Sequence, residues 1–296
     1  MTLKLGILGL SDGNGHPYSW SAIFNGYDPV AMAQCPFPVI PAYLAQQRFP
    51  DDAIEGARVH AIWTQDRALS RHISQAAYIP HVCEQMEDML PYIDAVLLAR
   101  DDAECHEAMA RPFLEKGLPI YIDKPIATSV QALDKIYARE RYSGQIFTCS
   151  ALRYARELQL TLSLKNEIGA IRVIRAQTPK DWTRYGIHII EPVVAMLGAD
   201  DAIDACERTS SGIRAHWRSG VVTEFIAMGA DGDKIEFHLT GEKSGKTLTF
   251  THTFDAFRAA LQAFIDVIEN RRPADNKAFI YKTIQLVEAG CDAFIS

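Results

Sequence analysis

The sequence predicts two domains: an α/β domain built on a parallel sheet, followed by an α+β domain with a large, open-faced, mainly antiparallel sheet. In the first half, short apolar runs alternate with helical patterns, which implies parallel βαβ units. In the second half, short runs with a period of two are separated by turn residues, as in an antiparallel sheet with one covered face. The predicted boundary lies near Ser150, giving domains of residues 1–150 and 151–296.

The first half contains apolar runs that are predicted strands, at residues 3–10, 59–64, 93–99, 119–122 and 145–150. Helical patterns lie between them, for example at residues 104–116 and 130–139. A long insertion, around residues 25–58, separates the first two strands. Its three prolines at residues 36, 38 and 41 are expected to forbid a regular helix or a central strand. The insertion either lines a site or a subunit contact, or it is a surface excursion.

The second half contains predicted strands at residues 170–177, 202–209, 212–218, 220–228, 234–240 and 246–253. Helices are predicted at residues 183–197, 254–270 and 276–294. Proline is tolerated only in the first turn of a helix, so Pro192 places the helix start close to His188. A helix amino terminus disfavours an imidazolium, so His188 would be neutral and able to act as a general base.

Composition and charge argue against several classes of partner. The hydrophobic content of 48% and charged content of 23% are ordinary for a globular protein. A net charge of −7 argues against nucleic acid and against an anionic membrane surface. No apolar stretch approaches the ~20 residues of a membrane span, and no signal peptide pattern opens the chain. The six scattered cysteines predict neither zinc nor disulfides, so a reducing cytoplasm fits.

A glycine-rich segment follows the first predicted strand, where a dinucleotide fold needs a tight turn and close approach of the backbone to pyrophosphate. Ser11 stands where the second glycine of a G-x-G-x-x-G pattern would be, and the loop is longer than usual. The segment either binds phosphate or is a turn that binds nothing. Its candidate cofactor residues are Gly9, Ser11, Asp12, Gly13 and Asn14.

The end of the second predicted strand is where a dinucleotide fold places an acidic residue on the adenosine ribose. Thr64 occupies that position, with Asp66 two residues later and Arg67 beside it. A neutral Thr64 with Arg67 nearby tolerates a 2′-phosphate better than an acid would, so both NAD and NADP are candidate cofactors. The alternative is that Asp66 and Arg67 are surface residues on a turn.

The motif Asp123-Lys124-Pro125 closes the apolar run at residues 119–122. A lysine at the carboxyl end of a buried strand sits where open α/β sheets hold their ligands, and its ammonium can orient a hydroxyl or carbonyl. Taken alone, Lys-Pro after a strand indicates a turn, and a single histidine indicates a structural role. Because both Lys124 and His188 stand at expected positions, a catalytic role is favoured for the pair.

Together these residues resemble the Gfo/Idh/MocA family of nicotinamide-dependent oxidoreductases. Asp123-Lys124-Pro125 resembles the family's Glu-Lys-Pro motif, and Gly186-x-His188-x-x-Glu191 resembles its D-x-G-x-H-x-x-D helix start. The resemblance extends over most of the chain, through the segment 93–96 with His106, the pair Arg153-Tyr154 and the segment 167–171.

The resemblance implies that Lys124 orients the reacting oxygen beside the nicotinamide, that His188 is the acid/base, and that the Lys124-Pro125 bond is cis. Pro125 joins the expected cofactor-binding residues. The expected substrate-binding residues are Lys124, Arg153, Arg184, Tyr185 and His188. The open sheet would serve for subunit contacts in a homodimer or homotetramer.

One departure from the family pattern concerns charge: Arg184 stands where many members carry an aspartate four residues before the histidine. The change removes a candidate partner for the lysine, and the cation could bind the carboxylate or phosphate of an acidic sugar or sugar nucleotide. Three functions stay open. They are a dehydrogenase or reductase acting on a sugar-type carbinol, a redox-neutral NAD-dependent glycosidase, and a non-catalytic dinucleotide-binding sensor or partner subunit.

Overall fold

The computed structural model describes residues 2–227 and 234–291 and divides them between two compact units. The first unit contains the chain up to Ile126, Asp134–Thr148 and Phe257–Ala274. The second unit contains Ala127–Leu133, Cys149–Ala256 and the chain from Asp275 onward. The two units are not separated by a single boundary in the sequence, because the segment Phe257–Ala274 belongs to the first unit. The predicted functional division at residue 150 stays a prediction.

A parallel, six-stranded sheet forms the centre of the first unit, in the order β3-β2-β1-β4-β5-β6. Its strands are β1 (Leu3–Gly9), β2 (Ala57–Thr64), β3 (His81–Val82), β4 (Ala95–Leu98), β5 (Ile120–Ile122) and β6 (Ile146–Phe147). Strands β4 and β5 are buried along their whole length, as expected of a sheet covered on both faces. The strand order reverses between β1 and β4, so the crevice beyond their carboxyl ends is the place where α/β folds bind ligands. The predicted α/β architecture is confirmed.

The helices between these strands include short ones that the sequence pattern did not predict. The α-helices of this region are α1 (His16–Asn25), α2 (Pro29–Met32), α3 (Val39–Leu44), α4 (Arg67–Ala76), α5 (His106–Glu115) and α6 (Val130–Tyr137). Helices α5 and α6 correspond to the predicted helices at residues 104–116 and 130–139, whereas the short α2 and α3 were not predicted. Helix α3 shows that the prediction of no regular helix near the three prolines was wrong. Pro38 is its N-cap and Pro41 lies in its first turn, where the backbone N–H has no helical acceptor to lose.

Aromatic side chains fix β5, which leads into Lys124, against two helices of the first unit. The ring of Trp20 in α1 stacks on Tyr121 with centroids 4.8 Å apart. Tyr121 also lies 4.9 Å from the ring of Phe147 and 5.7 Å from Phe264, on helix α9 (Thr253–Ile268). Each of these side chains is buried, so the end of β5 is held by the core of its own unit.

The sheet of the second unit has the order β12-β11-β7-β10-β9-β8. Its strands are β7 (Ile171–Thr178), β8 (Ile203–Thr209), β9 (Gly212–Trp217), β10 (Val222–Ala227), β11 (Glu236–Gly241) and β12 (Gly245–Thr249). Neighbouring strands are antiparallel except for β7 and β10, which run parallel. The predicted, mainly antiparallel sheet is confirmed. Residue 228 of one predicted strand and residues 292–294 of the last predicted helix lie outside the described residues.

Helix α8 (Trp182–Leu197) follows the short α7 (Leu162–Ile168) and corrects the predicted start near His188. Asp181 caps α8 by accepting a hydrogen bond of 3.0 Å from the backbone N–H of Arg184. Pro192 therefore lies in the helix interior, and His188 lies beyond the first turn, where the terminal dipole no longer keeps an imidazole neutral. The prediction failed because a buried helix can keep an interior proline when its side chains are packed on both flanks.

Trp182 anchors the start of α8 on helix α10 (Lys277–Cys291). Its indole Nε1 donates a hydrogen bond of 2.8 Å to the carbonyl of Val287. Gly290 leaves room for the ring, because a Cβ at that position would overlap it. None of the described helices is long and apolar enough to cross a membrane.

Candidate active site

The loop between β1 and α1 contains a glycine turn, and side chains of the insertion pack against it. Gly13 has φ of 75°, in the left-handed region that favours glycine. A Cβ at Gly15 would overlap Phe37 and Ile40 of the insertion. The insertion therefore packs against the start of α1 rather than lying apart on the surface. A larger residue at position 15 would have to displace these two side chains, whichever ligand the loop binds.

The first turn of α1 differs from that of a usual phosphate-binding helix. Pro17 has no N–H, and the N–H of His16 bonds to the side-chain oxygen of Asn14 at 2.8 Å. A dinucleotide would therefore be held by the backbone of the loop itself, at the switch point of the sheet, more than by the helix terminus. The position of the loop and its glycine turn fit such a ligand.

Ser11 binds a carboxylate of the protein. Its hydroxyl donates to Asp101 Oδ1 at 2.5 Å and accepts from the backbone N–H of Asp101 at 3.0 Å. Both residues are buried. The sequence analysis missed Asp101, although its position just after β4, at the ligand edge of the sheet, was the available signal. The predicted role of Ser11 in cofactor binding stays a prediction.

Lys124 lies at the carboxyl end of β5, beside Asp101. Its Nζ is 3.5 Å from Asp101 Oδ2, and both side chains are 7% exposed. The expected cis bond between Lys124 and Pro125 is present. The structure thus supplies the lysine with a carboxylate partner inside its own unit.

Asp123 is a buried anchor for the same strand end. Its carboxylate accepts hydrogen bonds from His16 Nδ1 at 2.5 Å, from Asn14 Nδ2 at 2.9 Å and from the backbone N–H of Lys124 at 2.8 Å. Burial raises the pKa of Asp123, but the charges of His16 and Lys124 and their hydrogen bonds together have the larger, opposite effect, and the resulting pKa is about 2. Asp123 is therefore an anion that joins α1 to β5. Motif spacing gave no signal that His16 contacts Asp123. Asn14, a candidate cofactor residue in the sequence, donates a hydrogen bond to Asp123.

The residues after β2 are engaged in local structure. The Thr64 hydroxyl donates to the carbonyl of Asp66 at 2.6 Å, and the Asp66 carboxylate caps α4 by accepting from the backbone N–H of Ala68 at 2.8 Å. Arg67 forms an exposed ion pair with Glu84. These contacts favour the surface-turn interpretation of Asp66 and Arg67.

Gln65 is the residue of this turn that reaches the loop after β1. Its side chain accepts a hydrogen bond of 3.0 Å from the backbone N–H of Leu10 and donates one to the Leu10 carbonyl. Arg100 Nη1 donates to the same side chain at 3.1 Å, and Arg100 also pairs with Asp102. Gln65 and Arg100 thus lie at the loop where the sequence analysis expected Thr64 and Asp66.

In the second unit, Ser150 holds two side chains of α8. Its Oγ lies 2.8 Å from His188 Nδ1, and its backbone N–H donates to Glu191 Oε2 at 2.6 Å. Since His188 and Glu191 are three residues apart, they project from the same face of the helix. All three residues are buried. Ser150 therefore orients the imidazole predicted to be the acid/base.

Arg153 balances buried carboxylates in this network. Its Nη1 lies 3.3 Å from Glu191 Oε1, and its Nη2 donates to Asp275 at 2.6 Å. Burial raises the pKa of Glu191 to about 7, because it outweighs the opposite effects of Arg153 and of the Ser150 N–H. The structure places Arg153 as an ion-pair partner, and its predicted contact with substrate stays a prediction.

Tyr185 and His188 lie together, with ring centroids 5.2 Å apart in an edge-to-face arrangement. Lys180, which the sequence analysis missed, donates from Nζ to the Tyr185 hydroxyl at 2.6 Å and lies 4.4 Å from its ring centroid. Arg184 lies in the first turn of α8 and is half-buried. Two cationic side chains, Lys180 and Arg184, therefore lie at this end of the helix, together with the capping carboxylate of Asp181.

The first unit has a Rossmann-type fold, with the glycine-containing loop at the switch point where such sheets bind their ligands. Residues 40–150 match the family model GFO_IDH_MocA, described as "Oxidoreductase family, NAD-binding Rossmann fold". The match covers residues 40–150 and agrees with the resemblance to the Gfo/Idh/MocA family that the sequence motifs indicated. Its cofactor class is accordingly a nicotinamide dinucleotide.

Solved structures of similar fold include several described as dehydrogenases. A probable dehydrogenase from Thermotoga maritima aligns with a TM-score of 0.73 at 14% identity, covering 98% of this chain and 96% of that one. Myo-inositol dehydrogenase from Lactobacillus casei, solved with NAD(H) and myo-inositol, gives 0.69 at 17% identity, with coverages of 99% and 94%. Myo-inositol 2-dehydrogenase from Lactobacillus plantarum gives 0.72 at 13%, with coverages of 99% and 97%. At these identities, the likeness shows the fold alone.

A search of curated proteins finds no match to this chain.

The raised pKa of Glu191 predicts a loss of stability with rising pH. The unfolded carboxyl ionises near 4.5 and the folded one near 7, so the folded protein binds the extra proton between these values. We expect the free energy of unfolding of the wild type, relative to Glu191→Gln, to fall by about 3 kcal/mol as pH rises through this window. Urea denaturation at several pH values measures this difference.

Glu207→Gln is the control, because Glu207 is an exposed carboxylate of the same unit. Its free energy of unfolding should follow that of the wild type at every pH. Parallel curves for the wild type and Glu191→Gln would show that Glu191 ionises normally in the folded protein.

Proposed function

We propose that the protein is an NAD(P)-dependent oxidoreductase that transfers a hydride between the nicotinamide and a carbinol or carbonyl of a sugar, sugar acid or sugar-nucleotide-type substrate. The observation that carries the proposal is Lys124, a buried ammonium at the ligand edge of a parallel sheet, next to a glycine-containing loop. A charged group that costs free energy to bury, at that place, is the mark of a functional site.

In this proposal, Lys124 binds the reacting oxygen and His188 exchanges its proton. An ammonium stabilises the negative charge that develops on an alcohol oxygen as its proton leaves. With Nδ1 engaged by Ser150, the proposal assigns the proton exchange to His188 Nε2. The bound nicotinamide would supply the hydride acceptor or donor. Pro125, adjacent to Lys124, stays in the proposed cofactor contact.

The substrate class is proposed from charge and from the structural relatives. Lys180 and Arg184 bring two cations to the amino-terminal end of α8, which suits a substrate that carries a carboxylate or phosphate. The inositol dehydrogenases of similar fold act on a polyol, which supports a sugar-type carbinol. An acidic sugar or a sugar nucleotide combines both features.

We expect Lys124→Ala and His188→Asn each to lower kcat/KM at least about 100-fold, because each removes a group that acts on the proton or charge of the reacting oxygen. Reduction of NAD and NADP is measured with a panel of inositols, sugar acids and sugar nucleotides. The matched controls are Lys135→Ala and His252→Asn, which alter exposed side chains of the same types.

Full turnover by Lys124→Ala would show that the assigned role is wrong. Dinucleotide binding without turnover across the panel would favour the non-catalytic sensor or partner subunit. Glycoside cleavage with tightly held NAD and no net reduction would favour the redox-neutral glycosidase.

We expect the wild type to bind NADH more tightly than NADPH, since a 2′-phosphate needs a cation and Arg67 is paired with Glu84. Glu84→Gln should raise the affinity for NADPH by roughly threefold, in line with the modest energy of an exposed ion pair, and leave NADH binding unchanged. Energy transfer from tryptophan to the reduced nicotinamide measures both affinities.

Glu87→Gln is the matched control, because Glu87 is an exposed carboxylate close by in sequence. Tighter binding of NADPH than of NADH by the wild type would contradict this expectation and support the interpretation that Thr64 and Arg67 accommodate a 2′-phosphate.

We also propose a cytoplasmic homo-oligomer that associates through the open face of the second sheet. None of the six cysteines, all of which lie among the described residues, forms a disulfide, which supports a reducing compartment. The open face carries polar pairs such as Arg214 with Glu224 at 2.6 Å, and Val173 is a large apolar residue exposed on the same sheet. The subunit contact would therefore be largely polar. Sedimentation velocity at micromolar concentration should show a dimer or tetramer, and monomer alone would contradict this.

A further inference from the structure

Two buried carboxylates adjoin Lys124, and they differ in how their hydrogen-bonding capacity is used. Asp123 accepts from His16 and Asn14 through Oδ2 and from the Lys124 backbone through Oδ1. Asp101 faces the ammonium itself, with Oδ2 at 3.5 Å from Nζ. Asp123 thus holds the backbone of the lysine, whereas Asp101 faces its charged end.

Asp101 is held in this orientation by Ser11. The serine hydroxyl bonds to Oδ1 and to the backbone N–H of the same aspartate, so the carboxylate is fixed at both ends. Ser11 belongs to the loop after β1, and Asp101 follows β4, the neighbouring strand of the sheet. The contact therefore connects the two loops that flank the switch point.

We propose that Asp101 is the counter-ion that positions the ammonium of Lys124, and that Ser11 is the residue that orients Asp101. The assignment rests on the proposed function only in taking Lys124 as the group that meets substrate. Removal of the carboxylate would leave a buried ammonium without this nearby opposite charge, which disfavours the charged form of the lysine. Lys124 would then be neutral over a wider range of pH and less well placed.

Titratable groups near Lys124 include side chains from three parts of the first unit. Asp101 approaches from the loop after β4, Asp123 from the end of β5, and His16 from α1 through Asp123. A test must therefore change Asp101 and leave the Asp123 cluster intact. Asp101→Asn does so with little change of shape, and Ser11→Gly removes the orienting hydroxyl while restoring the glycine usual in dinucleotide loops.

The experiment is competitive labelling of amines with trace acetic anhydride across a range of pH, with Lys124 followed by mass spectrometry in the full-length protein. The labelling midpoint of Lys124 should fall by about one pH unit or more in Asp101→Asn, as expected for loss of an opposite charge within 4–6 Å. Ser11→Gly should shift the midpoint in the same direction by a smaller amount. Asp102→Asn is the control, since Asp102 pairs with Arg100 in the same loop, and it should leave the midpoint in place.

An unchanged midpoint in a folded Asp101→Asn protein would overturn the assignment. If that variant does not fold, an unchanged midpoint in Ser11→Gly overturns it equally. The labelling does not depend on turnover, so the two proposals can fail separately. A shifted midpoint in a protein inactive on every substrate keeps the ion pair and rejects the enzyme, whereas an active wild type with an unmoved midpoint rejects Asp101 alone.

Discussion

The carboxylate of Asp123 is the group on which the site of the first unit depends. A charge with almost no exposure to water is stable only when hydrogen bonds and opposite charges replace its hydration. Here the replacement comes from the start of α1, through Asn14 and His16, and from the backbone of Lys124. One side chain therefore fixes both the loop that would meet a dinucleotide and the strand end that carries the reactive lysine.

The second unit also buries a carboxylate, that of Glu191, but there the pKa shifts in the opposite direction. Glu191 is also fully buried, with an N–H donor in Ser150 and a cation in Arg153. Arg153 divides its charge between Glu191 and Asp275, and burial dominates, so the pKa of Glu191 rises where that of Asp123 falls. Asp123 is consequently a permanent anion, whereas Glu191 exchanges a proton near neutral pH, close to the imidazole of His188.

The sequence predicted the elements whose signals are local and missed those that depend on distant partners. Short apolar runs located β1 and β2, and alternation with a period of two located the six strands of the second sheet, but β3 has only two residues and no pattern. The rule for proline failed at Pro192, because packing of the buried α8 outweighs one missing hydrogen bond. The contact of Ser11 with Asp101 spans 90 residues, so no motif spacing could reveal it.

Two departures from the family pattern, Ser11 in place of a glycine and Arg184 in place of an aspartate, look independent in the sequence. Asp101 bears on both of them. A serine in place of the loop's second glycine adds a hydroxyl where a dinucleotide fold usually keeps bare backbone, and that hydroxyl binds Asp101. Arg184 stands where many family members carry an aspartate, yet Lys124 already has an acid from its own unit. Because Asp101 balances the charge of Lys124, no acid is needed at position 184 for that purpose. A positive charge can then serve a substrate anion at the start of α8, where Lys180 adds a second cation, without leaving the buried ammonium of Lys124 uncompensated.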